Sequence, residues 1–146
     1  MLFRSANAQH NSRVLANVLT EHVQRSFEQA DVLAKLIGER IAKEGFDIDL
    51  NAMARAGTIS LDVFVQVAAT DEKGILRAST VKDFKPIDLS DRAHIRVHIQ
   101  DPSHGPFVSK PLIGRTSGKW SIQYSRAIIT DDGKFKGVVE IGRAHV

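Results

Sequence analysis

From Ser12 to Lys43 the chain runs for 32 residues with no proline and a single glycine, Gly38. Apolar residues recur at Leu15, Leu19, Val23, Phe27, Ala30, Ala34, Ile37 and Ile41, in steps of three and four. That spacing is the period of one face of an α-helix. Asn11 or Ser12 is placed to cap its start, and Gly45 stands where a helix ends on a left-handed residue. At 1.5 Å per residue the segment is about 48 Å long. A compact domain of 146 residues has a radius of gyration of about 15 Å, or about 38 Å across. One end of the helix is therefore expected to protrude. A second stripe, Val14, Val18, Val32 and Leu36, admits two readings: it faces a partner helix, or it widens the core face.

The rest of the chain changes period. Leu50–Ala56 reads as a short helix closed by Gly57. Leu61, Val63, Val65 and Val67 then alternate with other residues, as in a strand. Asp71-Glu-Lys-Gly74 reads as a turn, and Ile75–Ser79 as the returning arm of a hairpin. Asp91–Gln100, with Ser90 or Asp91 as cap and Pro102 beyond its end, reads as a third helix. Strands are expected at 107–113, 119–130 and 135–141, the last two joined by the turn Asp131-Asp-Gly133. Short strands joined by tight turns pair antiparallel, and the long helix must cover one face of such a sheet. The reading is an α+β fold in a single domain spanning 1–146, with a helix at 12–44 and the sheet and pocket elements at 58–142.

Composition removes several function classes. No apolar run reaches the roughly 18 to 20 residues that cross a bilayer, and Met1–Ser12 lacks a signal-peptide core. The chain therefore reads as a soluble protein or as part of a larger one. With no cysteine there is no disulfide, thiolate metal site or thiol nucleophile. The net charge is +3, from 20 basic and 17 acidic residues interspersed along the chain, which is not the basic stripe of a nucleic-acid binder. No Gly-x-Ser-x-Gly elbow, phosphate-binding loop or His-Glu-x-x-His is present, so no enzyme is expected.

Several residues carry binding chemistry. Arg92 falls in the first turn of the third helix, where free backbone N–H groups and a planar guanidinium together suit an anion; the competing reading is a brace to Asp88 or Asp91. His94 and His98 share one helix face at a spacing that also suits a metal. No third ligand is evident beyond Asp101 or His104, so no metal is expected. His94 is read as a pocket wall and His98 as structural. On the strand at 119–130, Trp120, Ile122, Tyr124 and Arg126 alternate with Ser121, Gln123, Ser125 and Ala127. One assignment turns the aromatic pair and Arg126 to a pocket; the reverse makes Trp120 and Tyr124 core. Ser109 and Lys110, on opposite faces of the neighbouring strand, offer one further polar contact.

Taken in order, Asp88–His98, Phe107–Pro111, Gly114–Arg126 and Asp132–Val139 resemble the pocket and closing strands of Cache sensor domains, the PAS-like extracytoplasmic modules of bacterial diguanylate cyclases, histidine kinases and chemoreceptors. The resemblance covers nearly the whole chain; Gly142–Val146 departs from the usual ending. It implies a five-stranded antiparallel sheet with the long helix on one face and a ligand pocket on the other. It implies a periplasmic domain tethered to the membrane by segments outside this chain, and no cofactor. The site expected on these grounds is Arg92, His94, Ser109, Lys110, Trp120, Tyr124 and Arg126. Amino-acid-binding members place aspartates where this chain has Gly114 and Gly142, so the expected ligand is a small anionic or polar metabolite. Binding would be transmitted through the long helix, which also pairs two subunits. The alternative is a ligand-free dimerisation module of the same kind of receptor.

Overall fold

The computed structural model describes residues 2–144, with side chains described from residue 9 onward except at 19, 20, 22 and 23. Helix α1 runs Leu2–Glu44, 43 residues and about 65 Å, and closes on Gly45 at φ +90°. It begins ten residues before the expected start, so Asn11 and Ser12 lie inside the helix rather than capping it. The apolar stripe meets the sheet only in its C-terminal half. Phe27 is half-buried, and Ala30, Leu33, Ala34, Ile37 and Ile41 are buried. Leu15 is exposed, while Leu19 and Val23 fall outside the described side chains. Every described side chain before Ser26 is exposed, so the described part of the N-terminal half stands clear of the domain. Val14, Val18, Val32 and Leu36 are all exposed, so the second stripe does not widen the core.

Helix α2, Leu50–Arg55, is capped by Asp49, whose carboxylate accepts from the Ala52 N–H at 2.9 Å. Six strands follow: β1 Phe64–Asp71, β2 Leu76–Ser79, β3 Phe107–Val108, β4 Leu112–Ile113, β5 Trp120–Ile129 and β6 Phe135–Ala144. All pair antiparallel in the order β2-β1-β6-β5-β3, with β4 also on β5. The sixth strand arises because the expected strand at 107–113 breaks in two at Ser109–Pro111, where Pro111 has no N–H to give the ladder. β1 starts at Phe64 rather than Leu61, because the N–H groups of Val63 and Phe64 both turn back to the Ser60 carbonyl.

Helix α3, Ala93–Gln100, lies against the sheet face opposite α1, and two cores result. On the α1 side Val67, Ala69, Tyr124, Ile128, Val139 and Ile141 meet the helix. On the other side Ala68, Leu76 and Val138 meet Leu89 and Ile95. α3 begins at Ala93 because its expected caps are engaged elsewhere. The Ser90 hydroxyl and N–H both bond Asp88 and the Asp91 carboxylate is held by Arg115, leaving Arg92 at the cap position with no side-chain capping bond. Among the described residues, no helix is long and apolar enough to cross a membrane.

Candidate functional site

The register of the three longest strands sets the floor of the α3 side. Gln66 on β1, Gly142 on β6 and Gln123 on β5 are direct partners and form one rung. Ala68, Glu140 and Ser125 form the next. α3 turns His94, Ile95 and His98 onto this floor, all buried. His94 Nε2 donates to Glu140 Oε2 at 2.7 Å, and His98 Nε2 hydrogen-bonds Ser125 Oγ at 3.0 Å. Burial first, then the charges of His104 and His94, hold the His98 imidazole down at about 4.

Above the rung lies a hollow of about 10 Å³, lined by Gln66, Leu89, Arg92, His94, Leu112, Gly114, Arg115, Thr116, Gln123 and Glu140. Such a volume holds about one water. Its lining is nonetheless unsatisfied: His94 Nδ1, Thr116 Oγ1 and Gln123 Oε1 are buried with no hydrogen-bond partner. Larger open grooves, of about 730, 710, 450 and 330 Å³, flank α2 and α1. None of these linings contains a buried polar atom without a partner among the described residues, so the small hollow is the better candidate despite its size.

Two crossed tethers close the hollow. The Arg115 guanidinium forks onto the Asp91 carboxylate, each bond 2.5 Å, and also donates to the Asp88 carbonyl at 3.2 Å. The hydrogen bond from Arg115 pulls the Asp91 carboxyl down to about 2. In the other direction Arg92 Nη2 donates to the Ile113 carbonyl at 3.1 Å. Arg92 has no carboxylate within 4.0 Å among the described residues, so neither Asp88 nor Asp91 braces it. Arg92 thus lines the hollow with no carboxylate in direct contact.

Of the seven residues expected at the site, Arg92 and His94 line the hollow. Tyr124 and Arg126 lie on the opposite face of the sheet. The Tyr124 hydroxyl donates to Asp31 on α1, and Arg126 Nη1 reaches the same oxygen at 2.8 Å. Trp120 is exposed at 57 % beside Ile113 on the sheet's edge. The Ser109 hydroxyl accepts from the Gln123 N–H at 2.9 Å and donates to the Lys110 carbonyl, outside the hollow, where Lys110 is exposed. The assignment of β5 faces is thus the reverse one: Tyr124 packs toward α1, and the smaller polar residues serve the α3 side. Gln66, Arg115, Thr116, Gln123 and Glu140 were not expected. Two of them carried a signal, since Gln66 and Glu140 interrupt the apolar runs Val63–Ala69 and Val138–Ile141 with a buried polar side chain. His94 and His98 are engaged by Glu140 and Ser125, and no group of three metal-type ligands is gathered among the described residues.

No known family's sequence profile matches the chain, and no curated protein does. Solved structures do. The extracellular domain of a protein assigned as a histidine kinase, rpHK1S-Z16, superposes with a TM-score of 0.78 at 33% identity, over 93% of this chain and 58% of that one. An extracellular ligand-binding receptor from Desulfohalobium retbaense gives 0.70 at 17% identity, over 84% of this chain and 23% of that one. The ligand-binding domain of the Pseudomonas fluorescens chemoreceptor CtaA, solved with L-serine, gives 0.64 at 17%, over 88% and 55%. The chain thus spans less than two thirds of each. The fold is that of these extracellular sensor and ligand-binding domains. It is of the Cache, PAS-like type found in histidine kinases and chemoreceptors.

Proposed function

We propose that this chain is the extracytoplasmic sensing domain of a membrane-tethered receptor, and that it binds a small anionic or polar metabolite in the hollow between α3 and the sheet. One observation carries the reading. Three residues of one lining each carry a buried polar atom without a partner, beside an arginine that has no carboxylate within 4.0 Å among the described residues. Unsatisfied buried groups are costly, and a polar guest that completes them recovers that cost. Arg92 supplies planar donors for an anionic end of the guest. The likeness to histidine-kinase and chemoreceptor domains supports a signalling output, and the 33% identity to rpHK1S-Z16 favours a histidine kinase over a diguanylate cyclase.

The guest enters when the segment Gly114–Gly118 lifts from the start of α3, since the closed hollow holds about one water. α1 carries the signal and pairs two subunits. Its exposed Val14, Leu15, Val18, Val32 and Leu36 lie along a helix whose described side chains before Ser26 are all exposed. Binding shifts the receptor only through the difference in affinity for its two states.

A second reading has support in the same hollow. At about 10 Å³ the cavity is nearly filled by the protein's own side chains, as in a ligand-free module that serves only to pair subunits. A thermal-shift screen against small organic acids separates the two. Sensing predicts at least one acid that raises the melting temperature of the native chain and leaves Arg92→Ala unmoved. A flat screen at millimolar acid, with both proteins folded, favours the ligand-free module.

A further inference from the structure

Gln123 occupies space that another residue leaves empty. A Cβ placed at Gly142 would lie 2.7 Å from Gln123 Nε2 and 3.3 Å from its Cδ, so the carboxamide lies over the bare backbone of its rung partner. Nε2 donates to Ser121 Oγ at 2.8 Å, which anchors that end of the amide. The carbonyl end, Oε1, is left buried and without a partner, on a residue 2 % exposed that lines the hollow. Thr116 Oγ1 is unpartnered in the same lining. The acidic side chain in that lining, Glu140, is held by His94. Gln123 therefore offers the hollow a neutral acceptor rather than a free carboxylate, and that suits a neutral donor better than an ammonium group.

We propose that Gln123 is the specificity-determining residue of the site, and that the ligand is a short hydroxy acid whose hydroxyl donates to Gln123 Oε1 while its carboxylate meets Arg92. The proposal rests on reading the hollow as the ligand site. A site built to receive a hydroxyl discriminates against the analogue that lacks it, because the buried acceptor is then left unpaired.

Calorimetric titration of the chain with glycolate, lactate and 3-hydroxybutyrate, each against acetate, propionate and butyrate, tests it. The native protein should bind a hydroxy acid about tenfold more tightly than its matched plain acid. Gln123→Leu keeps the bulk and removes the acceptor, so it should bind both members of the pair alike. Gly142→Ala leaves Gln123 in the chain but drives its carboxamide off the rung, and should lose the preference in the same way. This second variant keeps the test open if the first does not fold. Equal binding of each pair by the native protein, or a preference that survives in a folded variant, overturns the role of Gln123 and leaves the site standing. Failure of the native protein to bind any of the six acids overturns this proposal, while the thermal-shift screen decides the anionic-ligand reading beneath it.

Discussion

Arg126 on β5 reaches across to Asp31 on α1, 2.8 Å away, and the Tyr124 hydroxyl donates to the same carboxylate oxygen. Lys35, one helical turn on, holds the other oxygen at 3.1 Å. Burial raises the Asp31 carboxyl, but these three partners outweigh it and leave it below the ordinary carboxylate range. Burial and the Asp31 carboxylate in turn hold the Tyr124 phenol above its usual range. β5 thus touches the hollow through Gln123 on one face and grips α1 through Tyr124 and Arg126 on the other. A shift of β5 in the site reaches the helix through a polar clamp about one residue away.

Asp31→Ala leaves the Tyr124 hydroxyl and Arg126 without their acceptor. Because the pair is about one-third exposed, the loss should be about 1–2 kcal/mol in urea unfolding, less than for a fully buried charged hydrogen bond. A native-like urea midpoint would mean that solvent replaces the clamp in full.

His98 makes stability depend on pH. In the unfolded chain its imidazole takes a proton near pH 6.5, whereas the folded one refuses it down to about 4. Between those values the unfolded state holds more protons, so stability falls as the pH drops through that window. The loss attributable to this group is at most about 3 kcal/mol. His98→Gln keeps a hydrogen-bonding partner for Ser125 and removes the titration. Melting temperatures followed from pH 7 to pH 4 should therefore fall less steeply in the variant, and parallel curves would contradict the assignment.

The long helix, both hairpins and the order of elements were legible because they follow from period and turn residues alone. The site was less so. Along Trp120–Ala127 large and small residues alternate, and alternation says which residues share a face but not which face meets the ligand. Asp31 decided that by drawing Tyr124 and Arg126 to α1, and Asp31 looks like any exposed acid of an amphipathic helix. The start of α3 escaped for a similar reason. Ser90 and Asp91 have the chemistry of caps, yet Asp91 is taken by Arg115, 24 residues away, and pairings at that distance leave no trace in local sequence.

The Arg115–Asp91 fork should act as the latch of the hollow. Arg115→Gln removes the charge and the fork at an exposed position, so the fold should persist. Amide hydrogen exchange of residues 114–118 should speed up several-fold relative to the sheet. Unchanged exchange there would mean that the Arg92–Ile113 tether alone keeps the segment closed.

Gly137 marks the limit of tolerance in β6. Its φ is +155°, and a Cβ there would fall 1.9 Å from the Thr70 carbonyl oxygen of the paired strand. Gly137→Ala should cost several kcal/mol, enough to leave the chain largely unfolded at 37 °C. Native far-UV circular dichroism and melting temperature in this variant would contradict the close approach of β1 and β6.

A crystal structure with the strongest-stabilising acid from the screen shows whether the hollow between α3 and the sheet receives the ligand. Density is expected beneath a lifted 114–118 segment, with the acid's anionic end on Arg92. The same acid lodged in an open groove beside α1 or α2, above a hollow still closed, would contradict that placement.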